Sequence, residues 1–425
     1  MHTSTTPRWI TFLLVAASCL AGPLAQADIV TDWSRTAVEV IIAAHLPPGH
    51  PERVTAIVQT AVYDAVNAMT QRYPPAQVAL PGAPEASVAA AVAAANRATL
   101  SQLVPSQQAA IDRAYQTALA ALPQSPATTA GIRVGEQAAT ALLAFRAHDG
   151  ADTLERYRPH TTAGVYVPTV IPVLSQWPQR TPWILTSPDQ FRPGPPPSLT
   201  SARWARDYNE IKALGAKHST QRTATQTDLA RFWATTGPEI YLPVVWSVAT
   251  MSGRELTQNA RLLAVVTQAM DDALIAVMDA KYHYHFWRPI TAIRNGDLDG
   301  NDATEREASW VPFIDTPMHP EYPCAHCSTA ATVGAVLQAE IGAGPLPTLR
   351  TTSPTAPGMV RSWTTIEAFV QEVANARIYD GVHYRTSTEV GIAMGKQIGA
   401  WAAAQSLRPR HEAHSNMHGS GPQWP

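Results

Sequence analysis

Cysteine and charge are both scarce in this chain. Of its 425 residues, three are cysteine and 15% are charged, and the formal net charge is −2. Three cysteines cannot form a disulfide framework for a chain of this length, so the fold must depend on a large hydrophobic core. A net charge this close to zero excludes the strong positive field that binds nucleic acid or an anionic membrane, and we expect neither as a partner.

Long apolar runs are also missing. No uninterrupted run of about 20 apolar residues follows the N-terminal segment, so we expect no membrane span. Residues 1–27 are typical of a secretory signal, with Arg8 in the positive region, a short apolar stretch over 10–20 and a small-x-small cleavage site at 25–27. Lipoprotein attachment at Cys19 is the alternative, and the residues before it fit poorly. We therefore expect an exported protein, periplasmic or secreted; its oligomeric state stays open.

Alternating strand patterns and short repeats are absent as well, whereas helical spacing of apolar residues recurs along the chain. The predicted fold class is all-α, with two packed helical bundles of which the C-terminal one holds the site. Residues 164–199 contain nine prolines and two tryptophans, which predicts an ordered crossover. The predicted divisions are a signal peptide (1–27), an N-terminal helical region (28–163), the crossover (164–199), a C-terminal oxyanion-site domain (200–406) and a polar tail (407–425).

Individual helices are predicted from the same spacing. In the first half they cover 38–70, 85–122 with a break near Pro105, and 126–148. In the second half, Ser252 to Glu255 matches a capping box, so the following helix should run from there to about Ala280, with Lys281 at or beyond its end. The later helices are predicted over 326–341, 363–380 and 388–406, after a turn-rich stretch at 295–322.

Three spaced clusters carry the chemistry. Lys281 and Arg288-Pro289 form Lys-x6-Arg-Pro; Tyr322-Pro323-Cys324-Ala325-His326 follows; Arg377 and His383 form Arg-x5-His. Arginine supplies rigid forked donors, lysine a point charge, and histidine a ligand, nucleophile or proton carrier. A helix that begins near His326 would add backbone N–H groups and a positive dipole end. Together these groups predict a site for a tetrahedral oxyanion.

The order and spacing of the three clusters resemble the superfamily shared by vanadium-dependent haloperoxidases and type 2 phosphatidic acid phosphatases. Four further stretches resemble its secreted bacterial haloperoxidase-like branch: 61–68, 185–193, 231–233 and, most specifically, 279–289. The similarity covers roughly residues 30–406. The resemblance implies an enzyme that binds vanadate and uses hydrogen peroxide to oxidise halide.

Site roles follow from this resemblance. It implies that Lys281, Arg288 and Arg377 neutralise the oxygens of vanadate or phosphate. Cys324 and Ala325 stand where the superfamily has serine and glycine, so a weak S–H donor replaces a hydroxyl.

The resemblance assigns the two histidines different roles. His383 matches the residue that is the axial vanadate ligand in haloperoxidases and the phosphorylated nucleophile in phosphatases. His326 matches the acid–base residue on the opposite side and, with Lys281, would protonate the bound peroxide.

Departures from the family pattern leave alternatives open. The phosphatase pattern has aspartate four residues after its nucleophilic histidine; here that residue is Ser387, which argues against efficient phosphatase turnover. His319 stands where bromoperoxidases have histidine and chloroperoxidases phenylalanine, and Met278 stands where tryptophan is common; this favours bromide or iodide. A soluble exported phosphomonoesterase with a phosphohistidine at His383 is the second hypothesis. A non-catalytic protein that binds phosphate or vanadate is the third.

Cys324 and Cys327 allow three interpretations: an oxidised clamp at the helix start, two reduced thiols with Cys324 as a weak donor, or a redox motif. No thioredoxin-like pattern surrounds them, which disfavours the third. If Cys324 is a donor, its oxidation would make anion binding sensitive to redox conditions.

Three other features are polar without being clear sites. Residues 297–302 resemble a calcium loop but lack its closing glutamate, which favours a polar turn. His411, His414 and His418 lie in the polar tail, where metal capture is not expected. Asp271 and Asp272 interrupt an apolar helix, so each needs a partner, either a site residue or a salt bridge.

Overall fold

The computed structural model describes residues 28–407. The predicted signal peptide and the tail histidines lie outside these residues. The helices of the first half are α1 (Ile29–Ala43), α2 (His50–Thr70), α3 (Val88–Leu103), α4 (Gln108–Ala120) and α5 (Pro126–Arg146). Those of the second half are α6 (Ala202–Leu214), α7 (Ala224–Phe232), α8 (Pro238–Ala249), α9 (Leu256–Tyr284), α10 (Pro289–Arg294), α11 (Ala325–Ile341), α12 (Ile366–Tyr379) and α13 (Arg385–Ser406).

The predicted all-α class is confirmed. Its one exception within residues 28–407 is a two-stranded antiparallel hairpin, β1 (Leu349–Thr352) and β2 (Val360–Trp363). Four residues are too short a stretch for alternation to be detected in a sequence. No helix in the same part of the chain combines the length and the hydrophobicity that a membrane span requires.

One hydrophobic core joins the two halves. It contains residues of α2 and α3 together with residues of α9 and α11. Helix α2 is buried around most of its circumference, as Ile57, Val58 and Ala61 show with no exposed surface. A helix that is apolar on all sides is buried on all sides, and α2 packs along α9 accordingly.

Helix α9 differs from its predicted bounds at both ends. It begins at Leu256, and the capping box is formed by Glu255 and Gln258 instead of Ser252 and Glu255. Gly253 has φ +81°, a left-handed conformation that no helix can continue through, so the turn before α9 extends three residues further than the sequence suggested. At the other end Lys281 lies inside the last turn of α9, because the helix continues to Tyr284.

The two aspartates of α9 hold the proline-rich crossover against the bundle. Asp272 accepts hydrogen bonds from the backbone amides of residues 183–185 at 2.6, 2.8 and 2.9 Å. Asp271 forms a bidentate ion pair with Arg180, at 2.6 and 2.9 Å, and both side chains are fully buried. The partners that a buried carboxylate requires are therefore in the crossover, and neither aspartate reaches the predicted site.

Residues 297–302 form a turn that is held by its own side chains. The Asp299 carboxylate accepts from Trp204 Nε1 at 2.7 Å and from Thr304 Oγ1 at 2.8 and 2.9 Å. Gly300 supplies the left-handed conformation of the turn, with φ +71°. These contacts account for the turn without a cation.

A stripe of glycine lets α13 lie directly on α11. A Cβ on Gly395 would lie 2.1 Å from the carbonyl oxygen of Ser328, and one on Gly391 would lie 2.6 Å from that of Cys324. Glycine is therefore required at these positions by close approach of two backbones. The contact fixes the N-terminal end of α11, where the second sequence cluster lies.

Candidate active site

Lys281 is placed by the last turn of α9, where it is fully buried. Its Nζ donates to the carbonyl oxygens of Pro320 and Glu321, at 3.0 and 2.6 Å. Two of its three N–H donors are therefore used to fix the segment that leads into the second cluster. The third stays available for an anion.

Arg288 begins α10 and connects the loop before α11 to the loop before α13. Its Nε donates to the carbonyl of His319 at 2.9 Å, and its Nη1 donates to that of Val382 at 2.8 Å. The same Nη1 lies 3.4 Å from His383 Nε2, and Nη2 lies 3.0 Å from His319 Nδ1. The guanidinium thus faces both histidines from a position that is 1% exposed.

Arg377 is in the last turn of α12. Its Nη1 donates to the carbonyl of Trp233 at 2.5 Å and pairs with Asp380 at 2.7 Å. Its Nε is buried and has no hydrogen-bond partner among the described residues. A buried N–H donor without an acceptor is costly, and a bound oxyanion would supply one.

The second cluster forms the start of α11, as predicted. Cys324 is the N-cap residue, and Ala325 and His326 are the first two helical residues. Their amides have no acceptor within the helix, so the helix N-terminus can donate to an anion.

Cys324 itself is bonded to Cys327, so the oxidised clamp is the form that the structure shows. Its sulfur accepts from the Cys327 amide at 3.2 Å, and its own amide donates to Ser387 at 3.2 Å. The sulfur packs with Ala374 and Ile392. In this form Cys324 has no S–H, and its predicted side-chain contact with the anion would require reduction.

His383 lies on the loop between α12 and α13 and is 1% exposed. Its Nδ1 is 2.7 Å from Glu321 Oε1. Arginine can only donate, so the contact with Arg288 makes Nε2 the acceptor and leaves the proton on Nδ1, where it is donated to Glu321. Nε2 is therefore unprotonated, and because its contact with Arg288 is long at 3.4 Å, its lone pair can bind a ligand instead.

His326 lies across the site from His383. Its Nε2 is 3.1 Å from the carbonyl of Thr235, so Nε2 carries the proton and Nδ1 the lone pair. Burial, followed by the charges of Arg377, Lys281 and Arg288, holds the pKa of His326 well below its ordinary value. The imidazole is therefore neutral and able to accept a proton at Nδ1.

Burial is also the largest cause of the pKa shifts of Lys281 and His383. Burial, then the charge of Arg288, holds the pKa of Lys281 well below its usual range. The pKa of His383 is lowered first by burial and next by Arg288, Lys281 and Arg377. Neighbouring positive charges shift each other's pKa in this direction, and Glu321 and Asp380 offset the shift only in part, so a further anion beside them would counter it. The cluster is electrostatically suited to a multiply charged anion.

A cavity of about 420 Å³ opens onto these groups. Ala325, His326, Arg377 and His383 line it, as does His319. Lys281 and Arg288 lie behind this lining. The opposite wall comes from the first half of the chain, from α8 and from α9, with Leu46, Glu52, Glu239 and Met278 among its residues.

The sequence analysis missed Glu321. Of the residues that it selected, six converge at the site and Cys324 is turned into its bond with Cys327. Glu321 lies two residues before Pro323, directly before the quoted cluster, so an acidic residue next to the motif was the available signal. Its partner is 62 positions away along the chain, and only the folded structure brings them together.

Comparison with known proteins agrees with this geometry. Residues 261–411 match the family model of the VCPO second helical-bundle domain. A bacterial vanadium-dependent iodoperoxidase superposes with a TM-score of 0.76 at 20% identity, over 90% of this chain and 96% of that one. The chain has the vanadium-haloperoxidase fold. The resemblance to the vanadium-haloperoxidase superfamily that the three clusters indicated is confirmed.

Other proteins with the vanadium-haloperoxidase fold are similar to a lesser degree. Apo and holo bacterial vanadium-dependent chloroperoxidase superpose with TM-scores of 0.70 and 0.67, at 17% and 18% identity, over 86% of this chain and 95% and 93% of theirs. In sequence, the chain is 29% identical over 184 residues to vanadium chloroperoxidase from Curvularia inaequalis. That match spans 36% of this chain and 29% of the fungal enzyme.

Proposed function

We propose that this protein is a vanadium-dependent haloperoxidase, which oxidises halide with hydrogen peroxide at a vanadate bound to His383. One observation carries the proposal: Lys281, Arg288 and Arg377, all buried, lie around His383, whose Nε2 is unprotonated, beside the N-terminus of α11. The likeness of the chain to a bacterial vanadium-dependent iodoperoxidase, a bacterial vanadium-dependent chloroperoxidase and a fungal vanadium chloroperoxidase supports it.

The residues present fit vanadate. Arg377 Nε is a buried donor that lacks an acceptor, and Lys281 retains one free N–H. The amides of Ala325 and His326 add neutral donors. The oxygens of vanadate would accept from these groups, and His383 Nε2 would hold the metal.

When bound, vanadate would supply Lewis acidity that polarises hydrogen peroxide for attack by halide. Halide gives up two electrons, the O–O bond breaks, and hypohalite and water are the products. The neutral His326 accepts a proton from incoming peroxide at Nδ1 and returns it to the departing oxygen. Lys281 and Arg288 keep the negative charge of the site low, so that a halide ion can enter.

Bromide or iodide is the proposed halide. His319, the residue on which this preference depends, lines the cavity 3.0 Å from Arg288 Nη2. Met278, at the second position that favoured these halides, lines the same cavity.

The proposed activity is tested by bromination of a phenolic dye with peroxide, with and without orthovanadate. We expect turnover that requires vanadate and falls to the vanadate-free background in His383→Ala. The matched control is His218→Ala, an exposed histidine outside the site, which should keep full turnover. Bromide and iodide should be used faster than chloride. Equal turnover in His383→Ala would refute the proposal.

A phosphomonoesterase is the second candidate. The Glu321 carboxylate on His383 Nδ1 favours it, because such a contact activates a histidine nucleophile even though Ser387 replaces the aspartate of the phosphatase pattern. Hydrolysis of a generic phosphomonoester without vanadate, together with a labelled phosphohistidine, would support this function. Anion binding without turnover in either assay would leave the non-catalytic binding protein.

We also propose that the chain is exported and that residues 1–27 are removed. Cleavage there would leave Asp28 as the first residue, and Asp28 caps α1 through its Oδ1, which accepts from the Thr31 amide at 2.7 Å. N-terminal sequencing of the protein from the periplasm or medium should begin at Asp28. A mature protein that retains the preceding residues would contradict this.

A further inference from the structure

We propose that Glu321 is the positioning residue of His383: it holds the imidazole proton on Nδ1 and so presents Nε2, unprotonated, to the oxyanion. The inference rests on the proposed function in taking His383 as the anion's ligand. It goes beyond that function in assigning a role to a residue outside the three motifs.

The contact is short and isolated from water. Glu321 Oε1 lies 2.7 Å from His383 Nδ1 and also accepts from the Tyr384 amide at 3.1 Å. Glu321 is fully buried and His383 is 1% exposed. A carboxylate in such a position fixes both the tautomer and the orientation of a ligating ring, and it makes the other nitrogen a stronger ligand.

The contact at the other ring nitrogen, Nε2, also favours the tautomer with its proton on Nδ1. Arg288 Nη1 approaches Nε2 at 3.4 Å and can only donate. Arg288 at Nε2 and Glu321 at Nδ1 therefore favour the same tautomer, with the proton on Nδ1. In the other tautomer, two N–H groups would face each other at Nε2, and a lone pair would face the carboxylate at Nδ1.

The backbone of Glu321 is held in place by residues of the same site. Lys281 Nζ donates to the Glu321 carbonyl at 2.6 Å, and the Glu321 amide donates to Phe286 at 2.9 Å. Glu321 is thus fixed from the end of α9, independently of the loop that carries His383. Rigid support of this kind is what a positioning residue needs and what a mobile counter-ion would lack.

Burial raises the pKa of Glu321 to about 7, while the charges of Lys281 and Arg288 favour its ionised form. The carboxylate could instead be only a structural counter-ion for these two residues. In that case its loss would alter stability without changing the His383 tautomer, and the two roles can be separated by experiment.

Ser387 offers a rescue experiment. It lies four residues after His383, where the phosphatase pattern has aspartate, and it is 1% exposed in the first turn of α13. Its side chain acts to lower the pKa of Glu321, so it lies near that carboxylate, although its Oγ has no hydrogen-bond partner among the described residues. A carboxylate introduced at 387 would therefore lie near the space that the Glu321 side chain leaves in Glu321→Ala.

The experiment compares Glu321→Ala, Glu321→Gln and the double variant Glu321→Ala/Ser387→Asp. ¹⁵N NMR of the labelled full chain gives the His383 tautomer, and titration with orthovanadate gives the affinity. We expect Glu321→Ala to lose the Nδ1 proton preference and about 10- to 100-fold in vanadate affinity. Glu321→Gln should lie between, because its amide oxygen accepts the same N–H without the charge. In the double variant, Ser387→Asp should restore at least part of the Nδ1 proton preference and part of the vanadate affinity.

Glu340→Gln is the matched control. Glu340 is another buried carboxylate, on the far end of α11, where it pairs with Arg254 and Arg261. It should change neither the tautomer nor the affinity. The proposal is overturned if Glu321→Ala and Glu321→Gln both keep the Nδ1 proton and bind vanadate within twofold of wild type.

The outcomes separate this proposal from the proposed function. A wild-type protein that binds vanadate without brominating activity would contradict the peroxidase function, while a tautomer change in Glu321→Ala would still support the role of Glu321. If Glu321→Ala does not fold, Glu321→Gln and its NMR spectrum decide. Full peroxidase activity with an unchanged tautomer in both variants would support the function and refute the role of Glu321.

Discussion

Burial distinguishes the three cations of this site from ordinary surface residues. Lys281, Arg288 and Arg377 would be ordinary surface cations if taken one at a time, yet each is at most 1% exposed. Arg377 and His383 line the same cavity, and the charges of Arg288, Lys281 and Arg377 all act on His383. Burying several like charges together is unfavourable without an anion, so the cluster is expected to bind one tightly.

The substitution Arg377→Lys tests whether the cluster binds its anion through the guanidinium of Arg377. Lysine keeps the charge but loses the fork whose Nε has no hydrogen-bond partner within residues 28–407, and it can no longer donate at two fixed angles. We expect orthovanadate affinity to fall about 10- to 100-fold, as for the loss of a charge-assisted hydrogen bond of about 1.5–3 kcal/mol. Calorimetric titration measures this. Unchanged affinity would mean that Arg377 acts as a charge alone.

The same scale shows what the sequence could and could not predict. Order and spacing were enough to select the histidines and cations, because each lies in a motif with fixed intervals. Glu321 and Thr235 were not predicted, since each acts through one histidine that lies far away along the chain. Cys324 was placed correctly at the helix start, but its side-chain role depended on a redox state that no spacing determines.

The helices determine where the side chains of the site lie. Helices with strong apolar periodicity were predicted within a few residues, as α3, α4 and α5 were. Helix α8 was missed because it is apolar on nearly every side and contains Pro243, so its periodicity is weak. The start of α9 was misplaced because Gly253 belongs to the preceding turn.

Asp272→Ala should release the crossover from α9. It would leave three backbone amides without their acceptor, and we expect a loss of at least about 3 kcal/mol in the free energy of unfolding. Chemical denaturation measures the loss. Asp297→Ala, which removes an exposed carboxylate, is the control and should change stability by less than about 0.5 kcal/mol. Equal effects would show that the crossover is not held by Asp272.

Gly395→Ala tests the contact between α11 and α13. The added methyl would meet a carbonyl oxygen at 2.1 Å, so the two helices must separate, at a cost of about 1–3 kcal/mol. We expect a lower Tm and weaker vanadate binding, because α11 carries the anion-binding amides. Gly194→Ala, where a Cβ meets nothing within 4 Å, should leave both unchanged. A Gly395→Ala protein with wild-type Tm would contradict the close packing.

At the scale of the whole molecule, the halves are not independent. They share one core, and the cavity wall opposite the histidines comes in part from residues of α2. The similarity in sequence falls within the second half, but the similarity in fold covers 90% of the chain. The first half therefore completes both the core and the site.

A shared core predicts cooperative unfolding. Scanning calorimetry of the chain from Asp28 should give one transition, and a fragment of residues 200–406 should fail to fold, because α9 would lose the cover of α2. Two resolved transitions, or a folded fragment, would show that the second bundle is an autonomous domain.

The most direct test of the account is a crystal structure of the protein soaked with orthovanadate. The account predicts vanadium bonded to His383 Nε2, with its oxygens hydrogen-bonded to Arg377 and to the amides at the start of α11. It also predicts that Glu321 remains on Nδ1. Vanadium bound elsewhere, or absent from a crystal at saturating vanadate, would contradict the central claim that this cluster is an oxyanion site built around His383.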